Sequence, residues 1–382
     1  AVNGTGGNTA IRVDPGATAT LGVGIDGTGT LAKLDSGTLV LNGANTFTGG
    51  TELQGGTLVV GSNTALGTGQ LSTSTGTTLD SNTAITLANG VSLGGNLTVG
   101  GSNALTLNGV IAGTGGLVKN GAANLTLGGN NAFLGPVALN AGGLILASNT
   151  ALGSGTLNVA GGTTLDAASA VSVNNAVNLA GNLGIGGTAD LTLAGVVNGA
   201  GGLTKNGAAN LTLSGFNSFL GGTTLNAGTL TAGSNSALGL GNLTVGGASS
   251  LDSSTVVSLG NNVVLNANLA VAGSNNLTLA GVISGAGGLG KNGNANLTLN
   301  GINTYTGGTT LNAGTLTLGT AAALGSGALT VTGPSTLDNS SALALGNNIT
   351  VNDNLSVAGN NNLTLTGVLD GAGTLTKNGA SD

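Results

Sequence analysis

Five lysines stand at Lys33, Lys119, Lys205, Lys291 and Lys377, each 86 residues after the last, and the rest of the chain keeps the same phase. Phe47, Phe133, Phe219 and Tyr305 follow their lysines by fourteen residues, and Asp80, Asp166, Asp252 and Asp338 by forty-seven. A fixed long period means that one supersecondary unit stacks on copies of itself, each burying its apolar side on its neighbours. The phase divides the chain, read as one β-solenoid domain over 1–382, into the tail of a divergent unit (1–32), four repeats at 33–118, 119–204, 205–290 and 291–376, and the start of a truncated repeat at 377–382.

Within 119–204 the elements read as short strands between Gly/Asn turns: Leu125-Thr126-Leu127, Val137-Ala138-Leu139, Leu144-Ile145-Leu146, Leu157-Asn158-Val159, Val171-Ser172-Val173, Val177-Asn178-Leu179, Leu183-Gly184-Ile185 and Leu191-Thr192-Leu193. Each alternates in-out-in, as a half-buried strand requires. Leu165, Val196-Val197 and Leu203 bring the count to eleven. Three strands per coil and whole coils per repeat then predict about four coils of about 21.5 residues. The fold class expected is all-β, a right-handed parallel β-helix of about 18 coils, on the order of 85 Å long at ~4.8 Å per coil. A β-sandwich is the competitor, and it needs no invariant period.

Glycine supplies 77 of 382 residues and only 5% are charged, yet the hydrophobic share of 40% is too high for a disordered linker. Six basic residues and five aromatic ones cannot build a phosphate-neutralising stripe or a base-stacking platform, so nucleic acid is excluded as a partner. The absence of cysteine is compatible with export through an oxidising compartment. No stretch reaches the ~20 apolar residues of a spanning helix, and no signal peptide is visible at Ala1. The chain ends at Asp382 inside the motif opened at Lys377, and Ile11, Val13, Leu21 and Leu31 align with Leu355, Val357, Leu365 and Leu375, so it reads as a fragment of a longer solenoid.

The repeated polar and aromatic residues are expected to be structural. The lysines, four of them in Lys-Asn-Gly, read as solvated turn residues that discourage lateral aggregation. Asp80, Asp166, Asp252 and Asp338 stand without a second carboxylate at calcium-ligand spacing and read as turn residues. Phe47, Phe133, Phe219 and Tyr305, too sparse for a sugar-stacking platform, read as corner packing. Asn96, Asn124, Asn210, Asn242, Asn276, Asn296 and Asn362 open Asn-Leu-Thr sequons that also arise wherever a turn Asn precedes a strand. Thr229/Thr231 and Thr315/Thr317 resemble the threonine pairs of ice-binding solenoids, but they are not expected to recur once per coil. Arg12-Val13-Asp14, the densest charged spot, reads as an end feature. With no His, no Cys and one Arg, no acid–base constellation recurs in the repeats, so catalytic, cofactor-binding and metal residues are all expected to be none, and the chain is expected not to be an enzyme.

The segment from Gly287 to Leu316, with Lys291-Asn292-Gly293, Leu297-Thr298-Leu299, Tyr305-Thr306-Gly307-Gly308 and Ala313-Gly314-Thr315-Leu316, resembles the passenger-associated transport repeat of bacterial autotransporters. It recurs at 201–230, at 115–144 with Leu134-Gly135-Pro136-Val137 in the turn, and more loosely at 29–58. The resemblance implies an extracellular protein, secreted or displayed on the bacterial surface, serving as the non-enzymatic rod or stalk of an adhesin passenger. It implies a surface or matrix ligand as partner and a translocator barrel that this chain does not contain. The alternative is a subunit of an extracellular filament, self-associating head to tail through exposed coil ends.

Overall fold

The computed structural model describes residues 2–4, as backbone, and residues 7–381 in full. Every regular element among them is a short β-strand, and contacts gather the chain into two compact units, 1–191 and 192–382. In the first unit, Ile85–Leu87, Val91–Leu93 and Leu97–Val99 make one three-sided coil. They pair in parallel with Leu105–Leu107, Ile111–Gly113 and Leu117–Lys119 of the next. In the second unit, Val257–Leu259, Val263–Leu265 and Leu269–Val271 pair in the same way with Leu277–Leu279, Ile283–Gly285 and Leu289–Lys291. The chain is a parallel β-solenoid.

The in-out-in triplets explain the core. Leu125 and Leu127 are fully buried and Thr126 between them is half-exposed, a pattern repeated at Leu211–Leu213 and Leu297–Leu299. Leu125 stacks on Leu105 below and Leu144 above, so each inward side chain packs on its counterparts one coil away. A leucine buried in this way contributes roughly 1.5–3 kcal/mol. Repeat 119–204 holds all eleven strands expected from its sequence, plus Ala132–Phe133.

The coil is shorter than the sequence period suggests. Leu39, Leu58, Leu79, Val99 and Lys119 are successive register partners, so four coils take 80 residues. The repeat counterpart of Leu39 is Leu125, six residues beyond Lys119 and on the next sheet. The second unit repeats the walk through Leu211, Leu230, Leu251, Val271 and Lys291, with the counterpart Leu297 again on the next sheet. Each repeat is therefore four coils plus one face, which corrects the expectation that a repeat contains whole coils. Stacking requires only that an in-out-in triplet meet another, and all three faces offer one, so the phase is free to advance by a face per repeat.

The Thr-x-Thr pairs do not recur on the following coil, where Thr229/Thr231 meet Ser250/Asp252 and Thr315/Thr317 meet Thr336/Asp338, but single outward hydroxyls do align. Thr86, Thr106 and Thr126 lie in register on successive coils of the first unit, as do Ser258, Thr278, Thr298 and Thr317 in the second. Outward hydroxyl residues thus recur once per coil in short runs, where cross-strand Thr pairs stabilise the ladder.

Candidate functional site

The third residue of each Leu-x-Lys triplet occupies an inward position, and Lys33, Lys119, Lys205 and Lys291 have no exposed surface. The expectation of solvated turn lysines is overturned. The Lys119 Nζ donates to the carbonyls of Asn120 (2.6 Å) and Gly121 (2.8 Å) in its own turn and of Ala141 (3.2 Å) on the next coil. Lys33 reaches Leu34, Asp35 and Gly55 at 2.7, 2.8 and 3.1 Å. Lys205 and Lys291 repeat the clasp through Gly207 and Ala227, and through Gly293 and Ala313. A buried ammonium is tolerable only when its donors are satisfied, and converging backbone carbonyls supply that without a carboxylate. Burial still pushes Lys33, Lys119 and Lys291 below the ordinary value of 10.5, opposed for Lys33 by Asp35 and for Lys119 by Asp80. Lys377 is exposed and donates to Gly379 at 2.6 Å.

Twelve residues after each of the four buried lysines, and two before the aromatic ring, stands a buried asparagine. Asn131 accepts from the Ile111 N–H at 2.9 Å on the coil before and donates to the Ala151 carbonyl at 2.7 Å on the coil after, so one amide ties three coils. Asn45, Asn217 and Asn303 do the same. These buried amides were not singled out from the sequence, although Asn-x-Phe/Tyr at constant phase is an in-out-in triplet with an amide in one inward place. The rings of Phe47, Phe133, Phe219 and Tyr305 are buried, consistent with the packing role expected of them. Gly153 turns with φ +60° over Phe133, and an added Cβ would come within 2.4 Å of the Phe133 carbonyl oxygen.

The aspartates bond to the next coil. Asp80 Oδ1 accepts from the Ser102 N–H (3.1 Å) and Oδ2 from the Ser102 hydroxyl (2.6 Å), and Thr188 and Ser274 serve Asp166 and Asp252 likewise. In the fourth repeat Asn360 stands in the hydroxyl position; its Nδ2 donates to Asp338 Oδ2 at 2.8 Å and the buried Oδ1 has no partner. Arg12 pairs with Asp35 at 3.1 Å on the exposed surface, not with Asp14. The sequon residues also bond between coils: the Asn96 amide oxygen accepts from Gly116 N–H, and the Asn276 oxygen from Asn296 N–H.

Against known families, the passenger-associated-transport-repeat matches at 31–60, 117–146, 203–232 and 289–318. Each matched segment holds both halves of one clasp: 117–146 contains Lys119, its acceptors Asn120, Gly121 and Ala141, the amide of Asn131 and the ring of Phe133. Among curated proteins, the Adhesin BmaC autotransporter of Brucella suis biovar 1 (strain 1330) is 38% identical over 120 residues, which is 29% of this chain and 4% of that protein's length. No solved structure matches. The chain is thus a stacked solenoid that carries four matches to the passenger-associated-transport-repeat, each of them one internal clasp.

Proposed function

We propose that this chain is a non-enzymatic stalk segment of a surface-displayed or secreted adhesin passenger. The observation that carries the reading is where its charges go: four lysines lie inside the coils on backbone carbonyls, and the repeated aspartates bond to the adjacent coil. These repeated charged side chains are committed to holding coils together. The homologous adhesin supports placement at the cell surface or outside the cell. The adhesive role that the relative's name states is proposed for the parent protein, with this chain as its stalk.

The test is to display the parent protein on cells with residues 33–118 removed. Retained adhesion, with the remaining passenger still accessible to external protease, is the outcome expected of a stalk. Loss of a hydrolytic or lytic activity toward a polysaccharide on the same deletion would overturn it.

A further inference from the structure

The turn Lys119-Asn120-Gly121 gathers the groups that an internal displacement of an amide requires. Its nucleophile is the Gly121 nitrogen, whose N–H has no acceptor among the described residues and which, on a glycine, has no side chain beside it. Its electrophile is the half-exposed Asn120 carboxamide. The Oδ1 of that group accepts from Asn140 Nδ2 on the next coil at 2.9 Å, while its Nδ2 donates to nothing among the described residues and is free to depart. The third group is the buried ammonium. Lys119 Nζ donates at 2.6 Å to the Asn120 carbonyl, the oxygen of the same peptide group that carries the Gly121 N–H. A cation on that oxygen favours the anionic form of the peptide and so eases loss of the Gly121 proton, and the Asn140 donor stabilises the negative oxygen that develops on Asn120 Cγ.

Two other Asn-Gly pairs show what the arrangement adds. Asn89 precedes Gly90, but it is buried and its Nδ2, the nitrogen that must leave, is held by the carbonyls of Gly67 and Gly69 at 3.0 and 2.7 Å. Asn292 precedes Gly293 and accepts from Asn312, but Lys291 donates to the carbonyls of Gly293 and Ala313, leaving that of Asn292 without the ammonium. We infer that Asn120 is a site of self-modification, where the turn converts its own amide into a carboxylate. The Gly121 nitrogen gives its proton to solvent and bonds to Asn120 Cγ. The Cγ–Nδ2 bond breaks, and the nitrogen takes a proton from water and leaves as ammonia. Water then opens the cyclic imide at either carbonyl, so the net change is amide plus water to acid plus ammonia. Opening at the α-carbonyl gives isoaspartate, whose free carboxylate is made from the very group that Lys119 holds, and the buried ammonium gains an anionic partner.

Timed incubation of the full chain at neutral pH, folded in buffer and unfolded in urea, followed by peptide mapping with mass spectrometry, tests this. Asn120 in the folded chain is expected to convert about tenfold faster than in urea, the effect of one hydrogen bond to a charged group, with isoaspartate among the products. It is also expected to outpace Asn89 and Asn292 in the same folded molecules, a comparison that needs no variant. Lys119→Met, checked for folding by circular dichroism, is expected to lose the acceleration. An Asn120 that keeps its amide, or converts no faster folded than unfolded, overturns the inference. So does conversion of Asn292 at the rate of Asn120, or of a folded Lys119→Met chain at the wild-type rate, since either removes the ammonium from the reaction.

Discussion

The Tyr305 hydroxyl lies 2.5 Å from Thr309 Oγ1, both buried, while one repeat earlier Phe219 leaves the corresponding Thr223 Oγ1 buried without a partner. The two sites are a natural comparison. Phe219→Tyr should supply the missing bond and stabilise the fold by about 1 kcal/mol, and Tyr305→Phe should cost a similar amount. Urea midpoints of the two variants, moving in opposite directions, check this.

Alkaline pH should act in two opposed ways. The folded-state values of Lys33, Lys119 and Lys291 lie below 10.5, so between those values and 10.5 the unfolded chain binds more protons and stability rises with pH. Tyr305 is pushed up to about 12 by burial, against the bond to Thr309; from its ordinary value of 10.0 upward the folded chain binds more protons, and stability falls. Urea midpoints across alkaline pH should therefore rise with the lysines and then fall with Tyr305, passing through a maximum. Tyr305→Phe should remove the falling limb due to this residue, and a monotonic decline from neutrality in the wild type would contradict the assignment.

Lys119→Met keeps most of the volume but leaves the carbonyls of Asn120, Gly121 and Ala141 without their donor. The expected loss is about 1–3 kcal/mol, with Lys119→Ala costing more because a cavity is added. Lys377→Met, at an exposed side chain, should be near neutral. Equal effects at 119 and 377 would remove the clasp from the account of stability.

Leu213 has no exposed surface, so Leu213→Asp buries an unpaired charge and should cost about 3–5 kcal/mol. In a stack of nearest-neighbour contacts the damage should be local. Hydrogen exchange should show protection lost first in the adjoining strands Leu191–Leu193 and Thr229–Ala232.

Much of this architecture is legible in the residues. Leu125-Thr126-Leu127 declares a half-buried strand by alternation alone, and the common phase of the lysines, rings and aspartates declares stacking. Lys119 misleads because charge suggests water, whereas its place after Leu117-Val118 is an inward one. The carbonyl of Ala141 that completes its shell comes alongside only once the next coil is laid down. The coil length escapes for a related reason: 86 divides plausibly by four, and only the pairing of Val99 with Lys119 reveals that four coils end six residues early. Asn131 was hidden among many surface asparagines, and its burial follows from the face it shares with Phe133.

The six residues by which the repeat outruns four coils act as a vernier. In the second unit the strands bearing Lys205, Lys291 and Lys377 belong to three different sheets in turn. Anything written once per repeat is thus dealt round the three sides and comes back to the first only after three repeats. Such a chain has no preferred side on which identical marks line up, so copying the repeat adds coils without stacking one kind of mark into a single stripe.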